Sequence, residues 1–134
     1  GLTEQGGVGA NASHMAQSQH EAAEATLLKD RLSVGRRVAD SQDALETALG
    51  QVKSARVLND AARTANEGAS QAYAHGVGTM TDASTAAAAL FEAQASLAVS
   101  VAQAFTKAAA LAHASGQLDL ANNMPDDMNT AAPR

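Results

Sequence analysis

A small or apolar residue recurs every seven positions through the middle of the chain. One line contains Val38, Leu45, Val52, Asn59, Asn66 and Tyr73, and an interleaved line contains Ser41, Ala48, Ala55, Ala62 and Ala69. Helices that wind around each other bury residues with this period, so the pattern predicts a long coiled-coil helix. The two asparagines indicate a register-setting device or a wet lumen more than a dry core.

The helical pattern is broken once, between residues 74 and 81, where Gly76 and Gly78 stand close together. The pattern on either side of this break predicts a first helix from about residue 11 to 72 and a second helix that begins near Thr81 or Asp82. Either of these two residues can cap a helix. The second helix is expected to run to about Ser115, before Gly116. The predicted fold is therefore all-α, a long antiparallel helical hairpin resembling a coiled coil.

The second helix carries two apolar lines. The first contains Ala83, Leu90, Leu97, Ala104 and Leu111, and the second contains Phe91, Ala98, Phe105 and Ala112. A two-stranded hairpin needs only one such line, whereas a helix in a closed ring touches neighbours on two sides. We therefore expect the hairpin to be a stave pair of an oligomeric α-barrel.

The two ends of the chain differ from this pattern. Residues 1–10 are rich in glycine and predict a loop or the end of an extended segment. Residues 117–134 turn polar, contain Pro125 and predict a mostly disordered tail. The hairpin itself is assigned to residues 11–116, with its turn near 74–81.

Composition argues against several classes of function. The net charge of -5 disfavours a nucleic-acid surface, and the chain has no cysteine for disulfides or thiolate metal sites. The four histidines lack metal-ligand spacing, and we find no nucleophile–base grouping or phosphate-binding loop. We expect neither an enzyme nor a bound metal or cofactor. No run of about 18 consecutive apolar residues predicts a membrane span, and no export signal is visible at the start.

The turn and its flanks resemble the second helical repeat of the TolC-like outer membrane efflux proteins. The matching residues are Tyr73, Gly76, the Val77-Gly78-Thr79 run, Asp82, Ala86, Leu90, Gln94, Leu97 and the Gly116-Gln117-Leu118 run. Gly6-Gly7 is similar to the paired glycine that ends a barrel strand in this family, so residues 1–10 could be such a strand end. The resemblance covers about residues 6–118.

This resemblance implies a periplasmic helical tunnel below an outer-membrane β-barrel, in a Gram-negative envelope, for efflux or type I secretion. The parent protein would be a homotrimer that meets a periplasmic adaptor directly and an inner-membrane transporter indirectly. The tip Gly76, Val77, Gly78 and Thr79 would dock the adaptor. Tyr73, Asp82 and Thr85 would lie at the gate, where Thr85 takes the place of a second aspartate in the family pattern.

Each of these residues also has a purely structural interpretation. Gly76 and Gly78 suit any helical hairpin that needs a positive φ, and the glycines support the two interpretations about equally. Asp82 could be a helix cap and not a member of a carboxylate ring. Tyr73 lies on the heptad line, so core packing is the simpler role for it.

Two other classes of function compete with the channel. A signalling or scaffold coiled coil, such as a chemoreceptor-like hairpin, also places alanine-rich heptads around a glycine turn. Such a hairpin needs one seam per helix and arms of near-equal length, so the second line at Phe91 and Phe105 favours the barrel. A lipid-surface helix pair would need larger apolar residues and more basic ones than this chain offers.

Overall fold

The computed structural model describes the backbone of residues 2–130 and the side chains of residues 7–123, and it contains two helices. Helix α1 spans Leu2–Ala74 and helix α2 spans Met80–Thr130, with a turn at residues 75–79. No strand occurs in the described backbone. The prediction of an all-α helical hairpin is confirmed.

The chain divides into two structural units. One is Ala39–His113, which contains the turn, and the other combines the chain before residue 39 with the chain after residue 113. In the first unit the buried side chains are nearly all small. Ala48, Val52, Ala55, Asn59 and Ala104 lie on the predicted heptad lines, and Ala93 is buried beside them in sequence on α2. Leu97 and Val101 pack against the cluster of Ala48, Val52 and Ala104. Because alanines have short side chains, helices that meet through them can pack closely.

Asn59 is the polar residue within this seam. Its side chain is 5% exposed, and its Oδ1 atom is buried without a hydrogen-bond partner among the described residues. A buried acceptor without a donor has lost its hydration and gained nothing in exchange, which typically costs about 1–3 kcal/mol. Asn59 therefore weakens the hairpin that contains it, as expected for a residue kept for register and not for stability.

We expect Asn59→Ala to raise the free energy of unfolding by about 1 kcal/mol, because it removes the unpartnered acceptor and improves helix propensity. Urea unfolding followed by circular dichroism measures the change. Asn66→Ala is the matched control, since Asn66 occupies the same heptad position and is only half-buried. The control variant should be stabilised only by its better helix propensity. If Asn59→Ala raises the free energy of unfolding no more than Asn66→Ala does, the buried acceptor is not the cause.

In the second unit, α1 and α2 are joined by a hydrogen bond that Arg31 Nε donates to the carbonyl oxygen of Ala121, at 3.2 Å. Ala114 is buried in this unit, and Leu118 and Ala121 are half-buried. The described side chains from residue 7 to 30 are all exposed. Contacts between the helices thus continue past Gly116, where the sequence predicts a disordered tail.

Both ends of the hairpin differ from the predicted boundaries. Residues 2–10 are helical and not a loop or strand end, and α2 continues to Thr130 instead of ending near Ser115. Glycine lowers helix stability by only about 1 kcal/mol per residue, a cost that neighbouring helical turns can offset. At the other end, the contact with Arg31 supplies tertiary support that composition does not reveal. Residues 1 and 131–134 lie outside the described backbone.

Candidate docking tip and side surfaces

The turn at residues 75–79 begins with a Schellman motif that ends α1. The N–H of Val77 donates to the carbonyl oxygen of Ala72 at 2.9 Å, and the N–H of Gly76 donates to that of Tyr73 at 3.1 Å. Within the described backbone, the residue with a positive φ is Gly76, at 76°. This left-handed conformation strains any residue with a Cβ atom, so the motif explains why glycine occupies position 76.

Gly78 is required for a different reason, namely space. A Cβ atom at this position would lie 2.8 Å from the Ala72 Cβ and 3.1 Å from the Ala72 carbonyl carbon. Gly78 also donates its N–H to the Ala72 carbonyl oxygen at 2.9 Å, which holds the turn against the end of α1. Turn geometry alone therefore accounts for both glycines.

Thr79 caps the start of α2. Its Oγ1 accepts a hydrogen bond from the N–H of Asp82 at 3.0 Å, and α2 begins at Met80. The sequence suggested Thr81 or Asp82 as the cap, and both assignments are wrong by two or three positions. Threonine at 79 and aspartate at 82 form the spacing of a capping box, which is the signal that would have identified the cap. Asp82 lies in the first turn of α2, where its negative charge favours the helix dipole.

The tip presents two apolar side chains to solvent. Val77 is 83% exposed and Met80 is 61% exposed. Valine at this position of a Schellman motif usually packs back on its own helix, so its exposure is uncommon. Val77 was predicted from the sequence as a tip residue, whereas Met80 was not, and the turn brings both to the same end of the hairpin.

The three predicted gate residues are all exposed. Tyr73 is 49% exposed, so it lies at the edge of the seam and not in the core, and half-buried Ala72 lies beside it in sequence. Asp82 and Thr85 are exposed on the first turns of α2. Within the described side chains, no hydrogen bond joins any two of the three. The hairpin alone does not assemble a gate.

Among the grooves along the unit Ala39–His113, two have linings that differ. An apolar groove of about 350 Å³ is lined by Leu45, Leu49, Val52, Arg56, Val101, Ala104, Phe105 and Ala108. A second groove of about 600 Å³ has no charged residue in its lining, which consists of Thr47, Gly50, Gln51, Ser54, Ala55, Leu58, Ser96 and Ser100. The grooves share no residue and use different faces of both helices. The first groove is lined mainly by larger apolar side chains, and the second adds hydroxyl and amide groups to small apolar ones.

The second apolar line predicted on α2 lies outside the seam. Phe91 is 73% exposed and Phe105 is 74% exposed, while Ala98 and Ala112 are exposed as well. A parallel line of exposed alanines was not predicted; its members are Ala88, Ala95, Ala102 and Ala109. Their spacing of three and four residues from the phenylalanine line is the signal that would have revealed them.

The chemistry of catalysis or metal binding is not evident in the described part. No group of three or more His, Asp or Glu side chains from residue 7 to 123 is arranged to hold a metal ion. The Nε2 atom of His20 and the Oε1 atom of Glu24 are 3.0 Å apart, and the two residues lie one helical turn from each other on an exposed face. Such a pair is an ordinary feature of a helix surface.

By length and composition alone, α2 is long and apolar enough to cross a membrane. An 18-residue window within Met80–Asn123 has a mean hydropathy of 1.3. Alanine dominates this stretch, whereas membrane insertion is driven chiefly by residues such as leucine, isoleucine and phenylalanine. The window is weak evidence for a membrane span.

Comparison with protein families gives one informative match. The family described as "Outer membrane efflux protein" matches residues 4–117, which is most of the chain. Neither the curated proteins nor the solved structures include a significant match. The matched range contains the seam, the glycine turn and the second apolar line, so the resemblance drawn from the turn is confirmed. This chain belongs to the outer membrane efflux protein family.

Proposed function

We propose that this hairpin is a periplasmic tunnel segment of an outer-membrane channel for efflux or type I secretion, with its tip docking a periplasmic adaptor. Family membership supports an outer membrane efflux role. That role is one of transport, without chemistry carried out by the hairpin itself. The parent channel would be a trimer, and the inner-membrane transporter would reach it through the adaptor.

The observation that carries the tunnel assignment is the exposure of Phe91 and Phe105. Each is almost three-quarters exposed, and neither belongs to the buried cluster of the seam. Two aromatic rings bury about 150–250 Å² each when they are covered, so leaving both in water forgoes a large hydrophobic stabilisation. A tunnel wall covers such a face with the next helix. A signalling hairpin with one seam per helix gives no role to this face.

The adaptor-docking assignment depends on Val77 and Met80 at the tip. Exposed apolar side chains at the end of a hairpin form a compact anchor for a partner, and the glycines beside them let a partner backbone approach closely. Tyr73, Asp82 and Thr85 lie just behind this tip. In an assembled ring they would recur around the opening, where Asp82 would form a ring of carboxylates.

We expect Val77→Asp to abolish export through the channel, because a charge in a buried anchor position costs about 2 kcal/mol or more, roughly thirtyfold in affinity. The measurement uses a strain that lacks the gene and carries either the wild-type or the variant full-length protein. The readout is accumulation of a dye or detergent whose level rises in the deletion strain. The variant strain should accumulate as much as the deletion strain.

Val57→Asp is the matched control, since Val57 is 66% exposed and lies on α1 far from the turn in sequence. It should export normally. Immunoblots of outer-membrane fractions verify equal amounts of each protein. Normal export by the Val77 variant at wild-type abundance would refute docking at this tip.

A further inference from the structure

The apolar groove of the unit Ala39–His113 contains a single charged residue, Arg56. The other residues that line it are leucine, valine, alanine and phenylalanine side chains from both helices. Its volume of about 350 Å³ is within the range typical of small-molecule sites. The groove lies between the two helices of one chain, so its formation requires no second copy.

Two large side chains, one from each helix, form the accessible walls of this groove. Leu49 on α1 is 54% exposed, and Phe105 on α2 is 74% exposed. Val52 and Ala104 also line the groove but are buried, so they form its floor. The floor belongs to the packed cluster of the seam, whereas the walls remain in contact with water. A flat apolar molecule bound here would cover both walls, and removing that apolar surface from water favours binding.

Arg56 adds a positive charge that no described side chain neutralises. It is exposed, and it takes part in none of the ion pairs or hydrogen bonds formed among the described side chains. Asp60 lies one helical turn further along α1, and it does not line the groove. A guanidinium group presents several N–H donors in a planar fork that fits the oxygens of an acid group. The groove therefore combines apolar walls with one cationic donor.

Two other grooves of this unit lack that combination. The groove of about 600 Å³ has no charged residue in its lining. Another groove, of about 290 Å³, is lined by both Asp43 and Lys107, so it carries charges of opposite sign. In the apolar groove, Arg56 would repel a cation and would find no counter-charge on a neutral compound.

We propose that the apolar groove binds an amphiphilic organic anion. The apolar body of the ligand lies between Leu49 and Phe105, and its acid group accepts hydrogen bonds from the Arg56 guanidinium group. This site is separate in sequence from the tip at residues 75–79. The proposal adds a ligand site to the hairpin and does not depend on the channel function.

Two dyes that share one ring system test the proposal. Anilinonaphthalenesulfonate carries a sulfonate group, phenylnaphthylamine lacks it, and both fluoresce more strongly in apolar surroundings. Each dye is titrated with the purified 134-residue chain, and the fluorescence gives the dissociation constant. We expect Arg56→Gln to weaken binding of the sulfonate dye about tenfold, because a charge-assisted hydrogen bond is lost. Binding of the neutral dye to this variant should change by less than about twofold.

Matched variants separate this groove from the rest of the surface. Phe105→Ser should weaken binding of both dyes about tenfold, because both use the apolar wall. Arg63→Gln and Phe91→Ser are the controls: Arg63 is exposed on α1, Phe91 is 73% exposed on α2, and neither lines the groove. Both controls should bind each dye within about twofold of the wild type. Circular dichroism verifies that every variant keeps its helices.

The proposal is wrong if the helical wild-type chain shows no saturable binding of the sulfonate dye, or if the Arg63 and Phe91 variants weaken binding as much as the groove variants do. Equal weakening of both dyes by Arg56→Gln would show that Arg56 only covers apolar surface with its methylene groups. Dye binding per chain that falls as the protein concentration rises would assign the groove to a second copy. Sedimentation with vesicles of phosphatidylethanolamine and phosphatidylglycerol, without binding of the free dye, would assign it to a lipid surface.

Discussion

Replacing Gly78 with alanine is expected to lower the free energy of unfolding by about 2 kcal/mol, within the range usual for overpacking. The added Cβ would lie 2.8 Å from the Ala72 Cβ and 3.2 Å from the Tyr73 nitrogen. These atoms belong to the last turns of α1 and cannot move independently. Relief would require the turn to swing away, and that would break the bonds from Val77 and Gly78 to the Ala72 carbonyl oxygen.

Two other glycines act as controls. Substitution of the first should destabilise the hairpin, and substitution of the second should stabilise it. Gly76→Ala meets open space but must adopt a φ of 76°, so it should lose about 1–2 kcal/mol. Gly50 is inside α1, and nothing lies within 4 Å of the point that a Cβ atom would occupy, so Gly50→Ala should raise the free energy of unfolding by roughly 0.5–1 kcal/mol. Urea unfolding followed by circular dichroism gives all three values. A Gly78 variant as stable as the wild type would contradict the packing described for the turn.

A double variant tests whether Ala72 is the obstacle. Ala72→Gly removes one of the three close atoms, while the Ala72 carbonyl carbon and the Tyr73 nitrogen remain. The combined loss in Ala72→Gly with Gly78→Ala should be smaller than the sum of the two single losses. Additive losses would mean that the Gly78 side of the turn is strained for another reason.

The second large effect is expected in the seam, where Ala48→Leu should destabilise the hairpin by about 1–3 kcal/mol although leucine is the more hydrophobic residue. Ala48 is 4% exposed and lies in the cluster with Val52 and Ala104. Adding three carbons there forces the helices apart and opens gaps around their neighbours. Thermal unfolding measured at several protein concentrations would give the change and show whether association contributes.

Ala110→Leu is the control for this substitution, since Ala110 is exposed on α2 in the same unit. A surface change of this kind should alter stability by no more than about 0.5 kcal/mol. If Ala48→Leu were neutral or stabilising, the helices would be separated widely enough to accept a large side chain. The alanine seam would then not determine how closely they pack.

The heptad pattern predicted the architecture well because burial along a helix depends on spacing. Ala48, Val52 and Ala55 are buried where the pattern placed them, and Ala93 and Ala104 are buried on α2. The turn occupies residues 75–79, within the interval that Gly76 and Gly78 marked. Tyr73 departs from the pattern because α1 ends one residue later, so the seam stops at its edge.

Local detail at the helix ends was harder to predict. Several residues near the turn can cap a helix, and only the backbone path selects Thr79 and leaves Asp82 in the first turn. The tail prediction failed for a similar reason. Composition indicates only the conformation that a segment prefers in isolation. The contact at Ala121 comes from Arg31, which is 90 residues away in the sequence.

The sequence by itself determined the two-helix architecture, the place of the turn and the family, because period, glycine and alanine content act locally along the chain. Tertiary structure decided which faces remain in solvent. It left Phe91 and Phe105 uncovered, buried Asn59 without a donor and brought Val77 and Met80 to one exposed tip. These outcomes depend on how two helices rotate about their own axes to bury one seam, and that rotation is fixed only when both helices are present together.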